Sequence, residues 1–212
     1  SLFSDTATPK EPWQLQAEAK VQADLVELTA GKLTAEGFSA MFSGAAQRKA
    51  PHLMASIVAE IADVRQSAAS TLDEVTKTLL PKGPLTANID LLLTDNTLTA
   101  DVSELEIAGL TGSVIVTHAL GSQEITIDVS ALSDNASNWL PLDRLPPRID
   151  PAAFSQSFTG RGTLIIDQKG IALNELALNL GDLQVAGQIA QQKATSLIDI
   201  DLTASTPTLN AL

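Results

Sequence analysis

Apolar residues recur at every second position from residue 85 onward, where Leu85, Ala87, Ile89, Leu91 and Leu93 alternate with Thr86, Asn88, Asp90 and their like. Successive side chains of an extended chain point to opposite faces, so this alternation predicts a strand with one apolar and one polar face. Asp95-Asn96 supplies a turn. The chain then returns with Leu98, Ala100 and Val102 inward, and resumes with Leu105 and Ile107 one residue out of step. A slip of one residue inside a return strand predicts a hairpin with a bulge. Two further strands are expected, around 114–117 and over 124–132, where Ile125, Ile127, Val129 and Ala131 alternate with Thr126, Asp128 and Ser130. The segment reads as a four-stranded meander.

The same pattern returns over 159–204, with turns expected at Gln168-Lys169-Gly170, Gly181-Asp182 and Gln191-Gln192-Lys193. Its slip returns too: Leu173-Asn174-Glu175-Leu176-Ala177-Leu178 matches Val102-Ser103-Glu104-Leu105-Glu106-Ile107. Likewise Ile200-Asp201-Leu202-Thr203-Ala204 matches Ile127-Asp128-Val129-Ser130-Ala131, which predicts an internal repeat. A glycine pattern, G-x-L-x-(small apolar)-x-G, links Gly31 to Gly37 with Gly181 to Gly187 and adds a third unit near the start. Its first glycine is expected in a tight turn and its second at a bulge or close approach.

Between the units, Ala68, Leu72, Val75 and Leu79 recur at helical spacing before Pro81-Lys82-Gly83-Pro84, predicting an amphipathic helix over 67–80. A second connector holds Pro141, Pro146, Pro147 and Pro151, so only a short helical turn near Trp139 or Ala152 is expected there. The predicted organisation is a first β unit over 1–66, a helical connector over 67–82 and a second β unit over 83–134. A proline-rich connector over 135–158 and a third, truncated β unit over 159–212 complete it. The fold class expected is mainly β: repeated antiparallel meanders forming an elongated curled sheet or open β-groove, with one amphipathic helix.

Composition narrows the partners. Hydrophobic residues make up 44% of the 212 but aromatics only 3%, with no Tyr, so a stacking surface for bases or sugars is not expected. A net charge of −12 repels phosphate backbones, which disfavours nucleic acid. Without Cys there is no disulfide framework, thiolate metal site or Cys nucleophile. The start of the chain lacks the basic and apolar regions of a signal peptide, and its end has no clear stop, so the chain reads as a fragment of a longer one.

Candidate chemistry is sparse. His52 and His118 stand at strand ends outside any recognisable motif, and no G-x-S-x-G surrounds a Ser. Asp199 and Asp201 alternate with Ile198, Ile200 and Leu202, which fits a solvent face better than a metal site. Gly160-Arg161-Gly162 precedes a strand with no helix behind it, and reads as flexibility at strand entry rather than a phosphate loop. Asn135-Ala136-Ser137 matches the glycosylation sequon, a pattern too short to weigh. No catalytic residue, metal or cofactor is therefore assigned, and the chain is read as non-enzymatic.

What remains is the apolar strand faces. Transfer of one acyl methylene from water to an apolar surface is worth about 0.8 kcal/mol, so a whole acyl chain is held from water by on the order of 10 kcal/mol. Ile127, Val129, Leu176, Leu178, Ile200 and Leu202 line a lipid groove if the sheet curls without closing. They form an ordinary core if it packs against a second sheet or the 67–80 helix.

The succession Gly162-Thr163-Leu164-Ile165-Ile166-Asp167, Ile171 to Leu180, Gly181 to Gly187 and Ile198-Asp199-Ile200-Asp201-Leu202 resembles the repeat of the AsmA-like family of bacterial envelope proteins. The last third carries the likeness most fully, the middle unit less so, and the first through its glycine pattern. The resemblance implies a periplasmic protein, anchored in the inner membrane by a segment this chain lacks. It implies a long curled sheet with an apolar groove, associated with phospholipid passage and outer-membrane integrity. The expected partner is a phospholipid or other acyl-chain lipid, with envelope proteins besides. The alternative is a scaffold in envelope assembly, with a closed β core and a sheet edge that recruits partners by strand addition.

Overall fold

The computed structural model describes residues 13–47, 52–67, 83–138, 154–195 and 197–206. They form one open sheet of twelve antiparallel strands in chain order. The first four are β1 (Gln14–Val21), β2 (Leu25–Ala35), β3 (Phe38–Gln47) and β4 (His52–Ile61). A helical turn, α1 (Val64–Ser67), precedes β5 (Leu85–Thr94), β6 (Thr97–Ile107), β7 (Leu110–Ala119) and β8 (Ile125–Ser133). The last four are β9 (Phe158–Ile166), β10 (Gly170–Leu180), β11 (Leu183–Gln192) and β12 (Ile198–Ser205). The fold is mainly β and repetitive, as the alternation predicts, and the sheet is unclosed, which the alternation leaves open. The amphipathic helix expected over 67–80 lies outside the described residues apart from Ser67, as do Trp139 and Ala152; a 3-10 turn occupies Ala136–Asn138.

The repeat is visible in the register. The second strand of each four carries a bulge against both neighbours: near Thr29 in β2, Glu104 in β6 and Glu175 in β10. Glu104 and Glu175 have φ of 51° and 52°, so the two slips of phase seen in the sequence are the same backbone device. Thr29 supports its own bulge by donating to the Glu18 carbonyl at 3.2 Å. Successive fours are not separated: β4 pairs with β5, and β8 with β9, along uninterrupted registers.

Alternation then sorts the side chains. On one face stand Leu15, Leu33, Phe42, Ile57, Ile89, Val102, Val114, Ile127, Leu164, Leu178, Val185 and Leu202, linked strand to strand by direct pairing or by two-residue steps. The other face is polar and tied by cross-strand bonds. Thr163 donates to Asp128 at 2.6 Å, Asn179 to Thr159 at 2.9 Å, and Ser113 and Ser130 share a bond of 2.8 Å. Ser56 also donates to Asp90.

Among the described residues, substantial contacts run only between neighbouring strands, so no second layer covers either face. Yet Ile57, Ile89, Val114 and Val116 on the apolar face are half-buried, whereas Val58, Leu92 and Ile115 on the polar face are exposed. Within a single layer, that difference means side chains converge on the apolar side and splay on the other: the apolar face is concave. Its crease is marked by small residues. Ala40, Ala59 and Ala87 pair in a row and are only 5%, 9% and 5% exposed, and Gly112, Ala131 and Gly160 continue the row beyond the β6 bulge. Larger side chains would collide where the sheet folds most tightly.

Three local readings of the sequence need correction. Gly37, not Gly31, turns the chain between β2 and β3 as Gly181 does between β10 and β11; their φ values are 68° and 54°. Gly31 lies inside β2 beneath the Phe42 ring, so the two G-x-L patterns are not structurally equivalent. Gly160-Arg161-Gly162 is not strand entry but the paired interior of β9, where a Cβ on Gly160 would stand 2.8 Å from the Phe158 ring and 3.0 Å from Leu178. Gln191 and Gln192 still pair with β10, and the turn begins at Lys193. Gly170 likewise already opens β10, with Asp167 accepting from its amide at 2.9 Å.

Both long connections, after β4 and after β8, leave the same margin of the sheet, because every even-to-odd connection does so in an antiparallel meander. At that margin Ser133 donates to the Gly109 carbonyl at 2.9 Å, and Ala136 is fully buried. Asn135 accepts from the Ser137 amide at 3.0 Å, so the sequon residues form a compact side-chain turn.

Candidate functional site: an apolar trough

The concave face is the candidate site. At its paired positions no Asp, Glu, Lys or Arg occurs, and only His118, Ser133 and Gln191 are polar. All three lie at strand ends: His118 and Gln191 on one margin, Ser133 on the other. The Nδ1 of His118 donates to the Glu124 carbonyl at 2.9 Å. The middle of the trough is therefore apolar throughout, aliphatic except for Phe42 on β3. Burying a charge without a partner costs several kcal/mol, so a charge-free face is one that can be covered at little electrostatic cost.

Strands about 4.8 Å apart give a twelve-stranded trough a length of roughly 50 Å along the sheet, and ten-residue strands make it roughly 30 Å across before folding. That is on the order of 1,000 Å² of apolar surface, above the roughly 300–600 Å² of the largest patch on an ordinary monomer. An apolar hollow of about 200 Å³ sits within it between Val26, Leu28, Phe42, Leu53 and Ile57. A larger depression, about 460 Å³, opens chiefly on the polar face beside the β2 bulge, among Gln16, Glu18, Lys32 and Met41. Its lining is mixed and includes Ala17, Gly31 and Phe42 of the apolar face.

All six groove candidates from the sequence lie on the concave face. Ile127 and Val129 are on β8, Leu176 and Leu178 on β10, Ile200 and Leu202 on β12. Leu176 and Leu202 both pair with Gly187, where the β12 backbone approaches so closely that a Cβ would strike the Asp201 carbonyl oxygen. Ile127 and the two β10 leucines are half-buried, while Val129, Leu202 and Ile200 are 40%, 44% and 60% exposed. Ile200 and Leu202 are exposed on β12, which has no second neighbouring strand among the described residues.

The sequence reading missed most of the first unit's contribution. Phe38, Phe42 and Trp13 gather at that end, with the Trp13 and Phe38 rings 5.8 Å apart and tilted by 58°. The alternation of β3 is diluted by Ala and Gly, and only the pairing with β4 reveals which of its residues face inward.

Other chemistry does not assemble. His52 opens β4 on the polar face and His118 closes β7 on the apolar one. Asp199 and Asp201 lie on the polar face of β12. Among the described residues no group of His, Asp and Glu is placed to hold a metal ion, and no helix is long and apolar enough to cross a membrane. No family model matches the chain, nor does any curated protein or solved structure.

Proposed function

We propose that this chain shields lipid acyl chains in its apolar trough and so takes part in phospholipid transport and outer-membrane integrity. One observation carries the reading: an apolar concave face runs through twelve strands with no charged residue at its paired positions, and no layer covers it among the described residues. At about 0.8 kcal/mol per methylene, a surface of this kind removes much of the cost of holding an acyl chain out of a bilayer. An acyl chain spans about half of the ~30 Å hydrocarbon core, so a trough of roughly 50 Å is a track longer than one chain. The polar margins, with His118 and Gln191 on one side, leave headgroups in water. The resemblance to AsmA-like envelope proteins supplies the setting of the proposal, the periplasm.

A photo-crosslinking residue at Leu178 or Val129 is expected to capture lipid from membrane extracts. Delipidated protein is expected to take up a fluorescent fatty acid, and the pair Ile127→Asp and Leu178→Asp to weaken uptake at least roughly tenfold, about 1.4 kcal/mol. Neither capture nor uptake by a protein that retains its β spectrum would sink the proposal. The second reading, an assembly scaffold that recruits partners at a sheet edge, loses the closed core expected of it because the sheet is open, and rests on the backbone of β1 and β12 that has no partner strand among the described residues.

A further inference from the structure

The three units share a register, so each position in the trough has a counterpart in the other two. Counted from the bulge, Leu28, Gly44 and Ala55 lie side by side on β2, β3 and β4. The matching rows are Val102, Val114 and Val129, then Leu173, Ile189 and Ile200. One rung toward the strand ends, Ala46 matches Val116 and Gln191. The first unit thus has Gly44, Ala46 and Ala55 where both others carry larger side chains. One rung toward the crease the contrast reverses. Phe42 stands where the other units have Gly112 and Gly187, and Gly31 replaces Leu105 and Leu176, leaving room for the Phe42 ring. A lowered floor beside a raised wall makes the apolar hollow of about 200 Å³.

Val26 and Leu28 bound the hollow toward β2, Phe42 and Ile57 toward the crease, and Leu53 toward the strand end. Its floor is backbone, since a Cβ on Gly44 would stand 2.5 Å from the Met54 carbonyl oxygen. No charged residue lines it. An apolar cavity of about 150 Å³ with a lining of this kind stays dry and takes benzene, so this hollow has room for at least roughly six carbons. Sites for whole small molecules run to about 300–1,000 Å³, so it holds a part of a ligand. A segment from the middle of a chain would need two ways out, whereas a methyl end needs one. We propose that the hollow is a socket for the methyl end of an acyl chain. The socket presupposes that the trough takes lipid, as proposed above, and gives one end of that lipid a fixed place in the first unit.

Palmitic acid carrying an alkyl diazirine beside its methyl end, photolysed with the full 212-residue chain and mapped by peptide mass spectrometry, tests this. The comparison is the same acid with the diazirine beside its carboxyl. The methyl-end probe is expected to mark β2–β4, around Leu28, Phe42 and Ile57, and the carboxyl-end probe to mark other strands. An ω-hydroxy palmitic acid, which carries a hydroxyl into the hollow, should bind roughly tenfold more weakly than palmitic acid. Ala46→Val with Ala55→Val gives the first unit the side chains that Val116 and Val129 supply in the second. Filling the hollow in this way should abolish the preference of the methyl-end probe for β2–β4 and reduce the hydroxyl penalty, while palmitic acid still binds. Methyl-end labelling spread over all three units of the unaltered chain would overturn the socket and leave the trough reading standing. So would a labelling pattern and a hydroxyl penalty that the filled, folded variant leaves unchanged. No uptake of either probe would sink both.

Discussion

Ala87 shows how a single side chain sets the shape of the molecule. It sits in the crease opposite Ala59, where the β6 bulge brings two residues against one, and only 5% of its surface reaches solvent. Ala87→Leu overfills that crease and is expected to cost about 1–3 kcal/mol in urea unfolding. The outward neighbour Thr86→Leu, on the exposed face, should stay within about 0.5 kcal/mol. Equal losses at both sites would mean that the crease is not tightly packed. Ala108 shows the opposite case, a residue whose type gives no hint of its place. With Gly109 it forms the turn between β6 and β7 at φ of 51° and 79°, a geometry that Asn-Gly announces and Ala-Gly does not.

The strands reveal what the chain's pattern encodes and what it withholds. Clean alternation in β5, β8 and β12 identifies their faces from sequence, and the repeated slip locates the bulges of β6 and β10. The bulge of β2 was hidden, because Thr29-Ala30-Gly31 carries too little hydrophobic contrast for a change of phase to show. Which face stays uncovered was also illegible, since a core strand and a groove strand obey the same period-two rule. The six groove candidates could be assigned to one face only through the pairing of β8 to β12.

Pairing exposes an unfavourable contact as well: Asp90 and Asp101 stand directly opposite on the polar face of β5 and β6. Like charges in that position repel. Asp101→Asn is expected to stabilise the protein by about 0.2–1 kcal/mol at neutral pH and low salt. The gain should shrink at 1 M salt, where screening acts over about 3 Å. A destabilised variant would show that Asp101 has a favourable role outweighing the repulsion.

As a whole, the molecule is a stack in which each inner strand packs chiefly on its two neighbours, and β1 and β12 on one each, among the described residues. Stability in such a stack is a sum of nearest-neighbour terms, and opening begins at the ends. Amide exchange should therefore be slowest in β5–β8 and quicken toward β1 and β12, which are exposed along their whole length. Uniform protection across the twelve strands would mean that one global transition governs the sheet.

The identity of spatial order and chain order bears on how the sheet comes into being. Each strand finds its partner already made by the segment just before it, so no strand waits for a distant one, and only the connections after β4 and β8 enlarge the search. Long-range pairing is what makes β proteins slow to fold and leaves their edges open meanwhile. Here assembly can proceed from one terminus as the polypeptide emerges, with a single advancing edge at any moment, so the sheet is able to form during synthesis rather than after it.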